Sequence, residues 1–250
     1  MFLYYFDLPK KSIKLFKQKY HQSINQSIRM DQVTIEQKIE FLISFLSEHR
    51  RKKFYDVLNK RTKYITVVLE DIYDPHNGSA CIRSCEANGI QNLYIIERSN
   101  KFALKEGTAM SAGKWINLIL FNSKIKDPSL ECFEHLKNLG YSLYGMTPYP
   151  IKEKNCISLE NVEIETPIAL IFGSEKSGLS EISKKYLQNF LYIPMYGFME
   201  SYNISVACAI SVYTLRTKLN SSNIEWHLPD SDKKEILCNW LKKEFPNIGI

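Results

Sequence analysis

The sequence has no C-x-x-C pair, no internal repeat, no low-complexity segment, and no apolar run near the roughly 20 residues that a membrane-spanning helix requires. Its six cysteines, Cys81, Cys85, Cys132, Cys156, Cys208 and Cys238, are therefore expected to be buried free thiols in a reducing compartment, since several fall in segments patterned as packed helix. Cys81, Cys85 and His76 are the one grouping with a ligand-like composition, but core packing explains small residues at helical spacing, so no metal site is expected. No basic stretch precedes the short apolar run in MFLYYFDLPKK, which argues against a secretion signal and for a cytoplasmic protein with no membrane association. Nucleotide-binding signatures are missing as well. No G-x-G-x-x-G follows an apolar strand segment, and the glycine-rich turn FGSEKSGLS has Leu179 where a P-loop needs lysine. These absences count against a conventional dinucleotide site and remove the triphosphate one.

What is present begins with charge. The net charge of +6 is concentrated in residues 1–63, which hold 14 Lys and Arg against six Asp and Glu; the remainder holds 19 against 21. Lys10, Lys11, Lys14, Lys17 and Lys19 form one cluster, and Arg50, Arg51, Lys52, Lys53, Lys60, Arg61 and Lys63 another, with Phe and Tyr interleaved. Such a concentration fits a polyanion partner, because each neutralised phosphate releases counterions. A solvated helix face is the plainer explanation of the same pattern.

From Thr34 to about Lys60 apolar residues recur at helical spacing, which predicts one long helix or two. Beyond Lys63, six short apolar segments (65–72, 92–97, 116–121, 141–146, 167–173 and 190–195) alternate with helical patterns. Strands apolar on both faces and separated by helices predict an α/β fold with a mostly parallel sheet covered on both sides. A helix from about Ser201 to Leu219 and an amphipathic C-terminal helix, DKKEILCNWLKKEF, follow. The chain thus divides into a basic helical extension over 1–63, an α/β domain over 64–220, and a helical extension over 221–250.

Ligands of open α/β sheets bind at the carboxyl ends of strands. Three strand-end loops stand out there. In DPHNGSACIRSCEANG, Asn77 is the expected cap of a helix that stops at Asn88-Gly89, and Arg83 sits among residues too small to explain it by packing. FGSEKSG is a glycine-rich turn suited to a backbone cradle. IPMYGFMESYNISVA crowds Gly197, Glu200, Ser201, Tyr202 and Asn203 between a strand and a helix; Ser201 as N-cap accounts for one of these polar residues but not the set.

In this order, NGSACIR, FGSEKSG and IPMYGFMESYNISVA resemble the three signature motifs of the SPOUT-class 2′-O-ribose RNA methyltransferases, whose pattern is N-x-[GS]-x-x-x-R, FG-x-E-x-x-G and IPM-x-G-x-x-x-S-[LV]-N-[VI]-S-V-A. The likeness extends from about Arg50 to about Lys242 and includes SAGKW (111–115); by its basic helical start and helical tail it is most similar to the branch that methylates guanosine 18 of tRNA. The resemblance implies a C-terminal deep trefoil knot, a homodimer, and S-adenosyl-L-methionine held by Met146, Thr147, Gly173, Glu175, Gly178, Ile193, Met195, Ser201 and Tyr202. It implies catalytic roles for Arg83, Asn77, Glu175, Ser201 and Asn203, and RNA contacts from Arg50, Arg51, Lys60, Arg61 and Lys114. The class assigns to the residue matching Arg83 the part of a base assisted by an RNA phosphate. A guanidinium stays protonated at any physiological pH and is a poor free base, which gives equal weight to phosphate positioning and alkoxide stabilisation. Tyr202 departs from the pattern, which has Leu or Val at that place. An enzyme acting on ribosomal RNA and a catalytically silent RNA-binding knot dimer are the alternative expectations.

Overall fold

The seven strands among the described residues are all parallel, in the order β3-β2-β1-β6-β4-β7-β5. The computed structural model describes residues 34–103, 113–246 and 248. The Lys10–Lys19 cluster, the rest of the segment before Thr34, and Ser111-Ala112 of SAGKW lie outside the described residues.

The chain forms two compact units, one from the described residues up to Leu58 together with those from Pro229 onward, the other from Asn59 to Leu228. In the first unit the helical spacing after Thr34 resolves into two helices, α1 (Ile35–Ile43) and α2 (Glu48–Leu58). A capping box starts α1, with Thr34 and Gln37 satisfying each other's backbone N–H groups. Both helices pack on the C-terminal helix α7 (Asp230–Glu244), where Phe54 meets Trp240 edge-on at 6.2 Å. Arg50 donates to Glu244 Oε1 at 2.8 Å and lies 5.1 Å from the Phe54 ring, so one expected RNA-facing cation is half committed inside this unit.

The second unit carries the sheet: β1 (Ile65–Glu70), β2 (Asn92–Ile96), β3 (Asn117–Phe121), β4 (Ser142–Met146), β5 (Asn155–Ser158), β6 (Ile168–Phe172) and β7 (Asn189–Tyr192). Strands β1, β2 and β6 are buried along their whole length, as their two-sided apolar composition requires. On one face α3 (Pro75–Ala87) and α6 (Ile204–Asn220) cover Val67, Leu69, Leu93 and Leu170; on the other, Val68, Tyr94, Ala169 and Ile171 pack with α4 (Pro128–Asn138) and the residues flanking α5 (Glu181–Tyr186). Cys81, Cys85 and Cys208 are fully buried between α3 and α6, and the thiol of Cys81 is held well above its ordinary range by contact with Cys208 and by burial.

Strand β5 was not among the expected strands. Its sequence, NCIS, is short, polar and at the sheet edge, and has no periodic apolar signal. Two helix starts also differ from expectation. Asp74, extended at φ −88° and accepting from His76 N at 2.8 Å, caps α3 in place of Asn77, since Pro75 favours the first helical position. Asn203 caps α6 in place of Ser201 by accepting from Ser205 N at 2.9 Å. Asn77 is thereby moved into the first turn of its helix and Ser201 into the loop before its own, and both side chains are released from capping.

Candidate active site

The strand order reverses direction about β1 and β6, and the crevice at the carboxyl ends beside such a switch is where ligands of open sheets sit. A cleft of about 420 Å³ opens there, at the ends of β4, β6 and β7. All nine residues expected around a cofactor border it: Met146, Thr147, Gly173, Glu175, Gly178, Ile193, Met195, Ser201 and Tyr202. Pro148, Phe172, Ser174, Asn203, Ile204 and Ala207 complete its wall. Of these, sequence reasoning had given Asn203 another role and had missed the rest, although Phe172, Ile204 and Ala207 are themselves letters of the motifs; only Pro148 and Ser174 carry no motif letter.

The glycine-rich turn is closed on itself. Ser174 N donates to Gly178 O and Gly178 N to Ser174 O, each at 2.9 Å, a tight antiparallel bridge that brings the two ends of the turn together. Gly173 makes that approach possible, because a Cβ on it would stand 2.1 Å from Gly178 C and Leu179 N; Gly178 adopts φ +66°, a conformation that only glycine takes without strain.

Glu175 projects from this turn and draws two other loops to it. Its carboxylate accepts from Asn77 Nδ2 at 2.8 Å and from the backbone N–H groups of Tyr73 at 3.1 Å and Asp74 at 3.3 Å. Asn203 Nδ2 in turn donates to Asn77 Oδ1 at 3.2 Å. One residue from each of the three sequence motifs therefore enters a single hydrogen-bonded chain. Partial burial alone would raise the Glu175 pKa, but the donation from Asn77 and the backbone N–H groups outweighs it and holds the carboxylate below its ordinary value. Glu175 is thus ionised at neutral pH, and it joins the motif loops by accepting hydrogen bonds.

Arg83 is not part of this chain. It lies on α3, exposed, with no hydrogen bond or ion pair among the described residues. Its guanidinium is available to an incoming anion. Arg51 reaches Ile43 O at 3.4 Å from an exposed position, Lys60 is exposed, and Lys114 lies 4.8 Å over the Trp115 ring. Arg61 requires a correction. Expected at an RNA surface, it is 1% exposed, donating to Glu86 Oε1 at 2.7 Å and to Ile90 O at 3.2 Å. Burial lowers its pKa and Glu86 counteracts the shift, so this guanidinium ties the end of α3 to the sheet and faces no solvent.

A further buried group, Glu70, supports the site from beneath. The last residue of β1, it is 1% exposed and accepts from Ser129 Oγ at 2.6 Å, Ser180 N at 3.0 Å, Ser180 Oγ at 2.8 Å and Ser183 Oγ at 2.5 Å. Ser180 is the N-cap of α5, two residues after Gly178, so this carboxylate fixes the exit of the glycine-rich turn. A charged residue closing an otherwise apolar strand was the available signal.

With this geometry in view, comparison with known proteins is specific. Residues 64–213 match the family described as the SpoU rRNA Methylase family. A tRNA (guanosine(18)-2′-O)-methyltransferase of Borreliella burgdorferi is 35% identical over 210 residues, covering 84% of this chain and 92% of that one. The crystal structure of the Aquifex aeolicus TrmH/SpoU tRNA modifying enzyme is similar at a TM-score of 0.67 and 26% identity, covering 79% of this chain and 98% of that one. The SpoU methyltransferase AviRb from Streptomyces viridochromogenes, in complex with the cofactor AdoMet, shares the fold at a TM-score of 0.54 and 20% identity over 67% of this chain and 62% of that one. The match spans more than half of the sequence and all three motif loops, and this chain belongs to the SpoU rRNA Methylase family.

Proposed function

We propose that the protein transfers a methyl group from S-adenosyl-L-methionine to a ribose 2′-hydroxyl of tRNA, at guanosine 18 of the D-loop. The observation that carries this reading is the joining of the three motif loops through Asn203, Asn77 and Glu175, with the second and third lining one cleft. The cleft suits the cofactor in size and composition. It falls within the roughly 300–1,000 Å³ usual for ligands of this class, with Met146, Phe172, Ile193, Met195 and Ala207 for an adenine and Thr147, Ser174, Ser201 and Asn203 for polar groups. When bound, S-adenosyl-L-methionine supplies an electrophilic methyl group. This chain's residues do the rest. Arg83 holds the RNA phosphate beside the target ribose and stabilises negative charge on O2′ as the hydroxyl proton passes to that phosphate or to solvent water. Asn77, fixed between Glu175 and Asn203, keeps the first loop against the other two. Ser201 and Tyr202 close the cleft wall, with a phenol where the family pattern has an aliphatic side chain.

The names of the curated relatives support tRNA over ribosomal RNA. In this reading the basic N-terminal residues, with Arg50, Arg51, Lys60 and Lys114, contact RNA, and the protein works in the cytoplasm. Among the described residues no helix is long and apolar enough to cross a membrane. The insertion of β7 between the earlier strands β4 and β5 supports a threaded, knotted C-terminal segment. A homodimer is supported by the exposure of five large apolar side chains, Tyr196, Phe198, Met199, Val206 and Tyr213, on the loop before α6 and on α6 itself. Light scattering that gave a monomer at micromolar concentration would remove the dimer from the proposal. Incubation with radiolabelled S-adenosyl-L-methionine and separate tRNA and ribosomal RNA tests the substrate: counts are expected in tRNA, and counts in ribosomal RNA alone would overturn the assignment.

A further inference from the structure

A second cleft, of about 450 Å³, lies on the same edge of the sheet, at the carboxyl ends of β2 and β3. Its wall includes Arg98, Ser99, Asn100, Lys101, Ser123 and Lys124, and nothing in the proposed chemistry uses them.

The wall is built to be rigid. Asp71, the residue after β1, sits at φ +56°, a left-handed conformation unfavourable for a residue with a side chain. In that position its Oδ1 accepts from the backbone N–H groups of Arg98, Ser99 and Asn100 at 3.0, 2.8 and 2.8 Å, and Asn100 Nδ2 donates back to Asp71 O at 3.1 Å. Arg98 is committed to Asp127 at 2.6 Å, and Glu97 accepts from Phe102 N at 2.7 Å and Asn122 Nδ2 at 3.3 Å. The carboxylates at the cleft are thereby occupied. Lys101 and Lys124 are exposed and have no ion pair or hydrogen bond among the described residues. Two uncommitted ammonium groups on a fixed polar trough present a surface for a phosphate chain.

Its place relative to the reaction centre is set by the sheet. Asn77 and Arg83 belong to the helix that follows β1, and β2 and β3 are the next two strands outward. Neighbouring strands are about 4.8 Å apart, so the trough begins one to two strand spacings, about 5–10 Å, beyond the end of β1. The proposed cofactor cleft opens at the ends of β6, β4 and β7, so from β6 the trough is two to three strand spacings, about 10–15 Å, away, and an RNA strand with its reacting ribose at that cleft would reach it within a few nucleotides. We propose that this trough carries the RNA backbone flanking the target nucleotide, with Lys101 and Lys124 each neutralising a phosphate. The inference rests on the RNA-methyltransferase reading of the first cleft.

The test is the salt dependence of binding to an unmodified tRNA transcript, measured by fluorescence anisotropy between 50 and 200 mM salt, for the wild type, the Lys101→Gln/Lys124→Gln protein and the Lys101→Arg/Lys124→Arg protein. Loss of two phosphate contacts should lower the slope of log K against log salt by about 1.5–2 and weaken binding severalfold at the lower salt, while the arginine pair keeps the wild-type slope. Calorimetric affinity for S-adenosyl-L-methionine is expected to be the same in all three. A glutamine variant with the wild-type slope would overturn the proposal, whether the trough then serves an acidic protein or nothing. A slope lost in both variants would overturn it too, since charge would not be the cause. Absence of methyl transfer by the wild type would refute the functional reading independently of these slopes.

Discussion

Gly173 offers a sharp test of the proposed cofactor cleft. A Cβ there would lie 2.1 Å from Gly178 C and Leu179 N and 2.3 Å from Gly178 O, all backbone atoms with no side chain to swing aside. Gly173 directly follows Phe172, which is 3% exposed at the end of a fully buried strand, so the turn must move outward by more than 1 Å. That opens the two 2.9 Å hydrogen bonds between Ser174 and Gly178, worth about 1 kcal/mol each. A further loss of about 1 kcal/mol is expected from overpacking. If about 2 kcal/mol of this falls on the cofactor-competent loop, Gly173→Ala weakens S-adenosyl-L-methionine binding about 30-fold. The melting temperature should fall on the order of 5–10 °C. Gly178→Ala is the graded comparison. Its Cβ meets no atom within 4 Å, but φ +66° disfavours alanine by about 1 kcal/mol, so a fivefold loss is expected. Titration calorimetry with the cofactor decides. Gly173→Ala binding within threefold of wild type, or Gly178→Ala proving the worse of the two, would refute the reasoning.

Other consequences can be checked in the same preparations. Arg83→Ala should lower methyl transfer by about 100- to 1,000-fold with cofactor affinity within about twofold, and robust residual turnover would end the assignment of Arg83 to the reaction. Because the Glu175 pKa is depressed in the folded protein, its contribution to stability is present above the ordinary carboxylate range, near pH 4.3, and is lost as pH falls through the folded value. Glu175→Gln should therefore melt about 2–5 °C below wild type at pH 7, with the gap held down to about pH 4.3 and closing only below it; a gap independent of pH would contradict this. Glu70→Ala leaves three serine hydroxyls and the Ser180 N–H without their acceptor and should cost about 3–5 kcal/mol, read by urea denaturation. A loss below about 1 kcal/mol would mean that water replaces the carboxylate.

The central strands were legible because burial on both faces writes a nearly continuous apolar segment, as in IALIF and, between Ile65 and Leu69, in ITVVLE. Strand β5 left no such trace, since an edge strand of four residues has no period to detect. The three loops were legible as motifs, and their meeting at one end of the sheet, where the second and third line the cleft and Asn77 bonds to both, follows from parallel strands delivering their carboxyl ends to one side. Side-chain commitments were harder to read. Asp74 and Asn203 took the caps assigned to Asn77 and Ser201 because capping depends on the backbone angles at the turn, and at each helix start both candidates have suitable side chains. Arg61 read as one more surface cation in a basic run, although the fold places it against Glu86, 25 positions later in the chain. Glu70 shows the same limit: its serine partners at 129, 180 and 183 come together only in the folded sheet.

The most direct test of the account is the position of the transferred methyl group. Purified protein, labelled S-adenosyl-L-methionine and a tRNA transcript are incubated together, and the RNA is digested to nucleosides and mapped. The account predicts a single 2′-O-methylguanosine in the D-loop that is absent when Arg83→Ala replaces the wild type. A methyl group on a base, or no transfer by a protein that binds the cofactor, would contradict it.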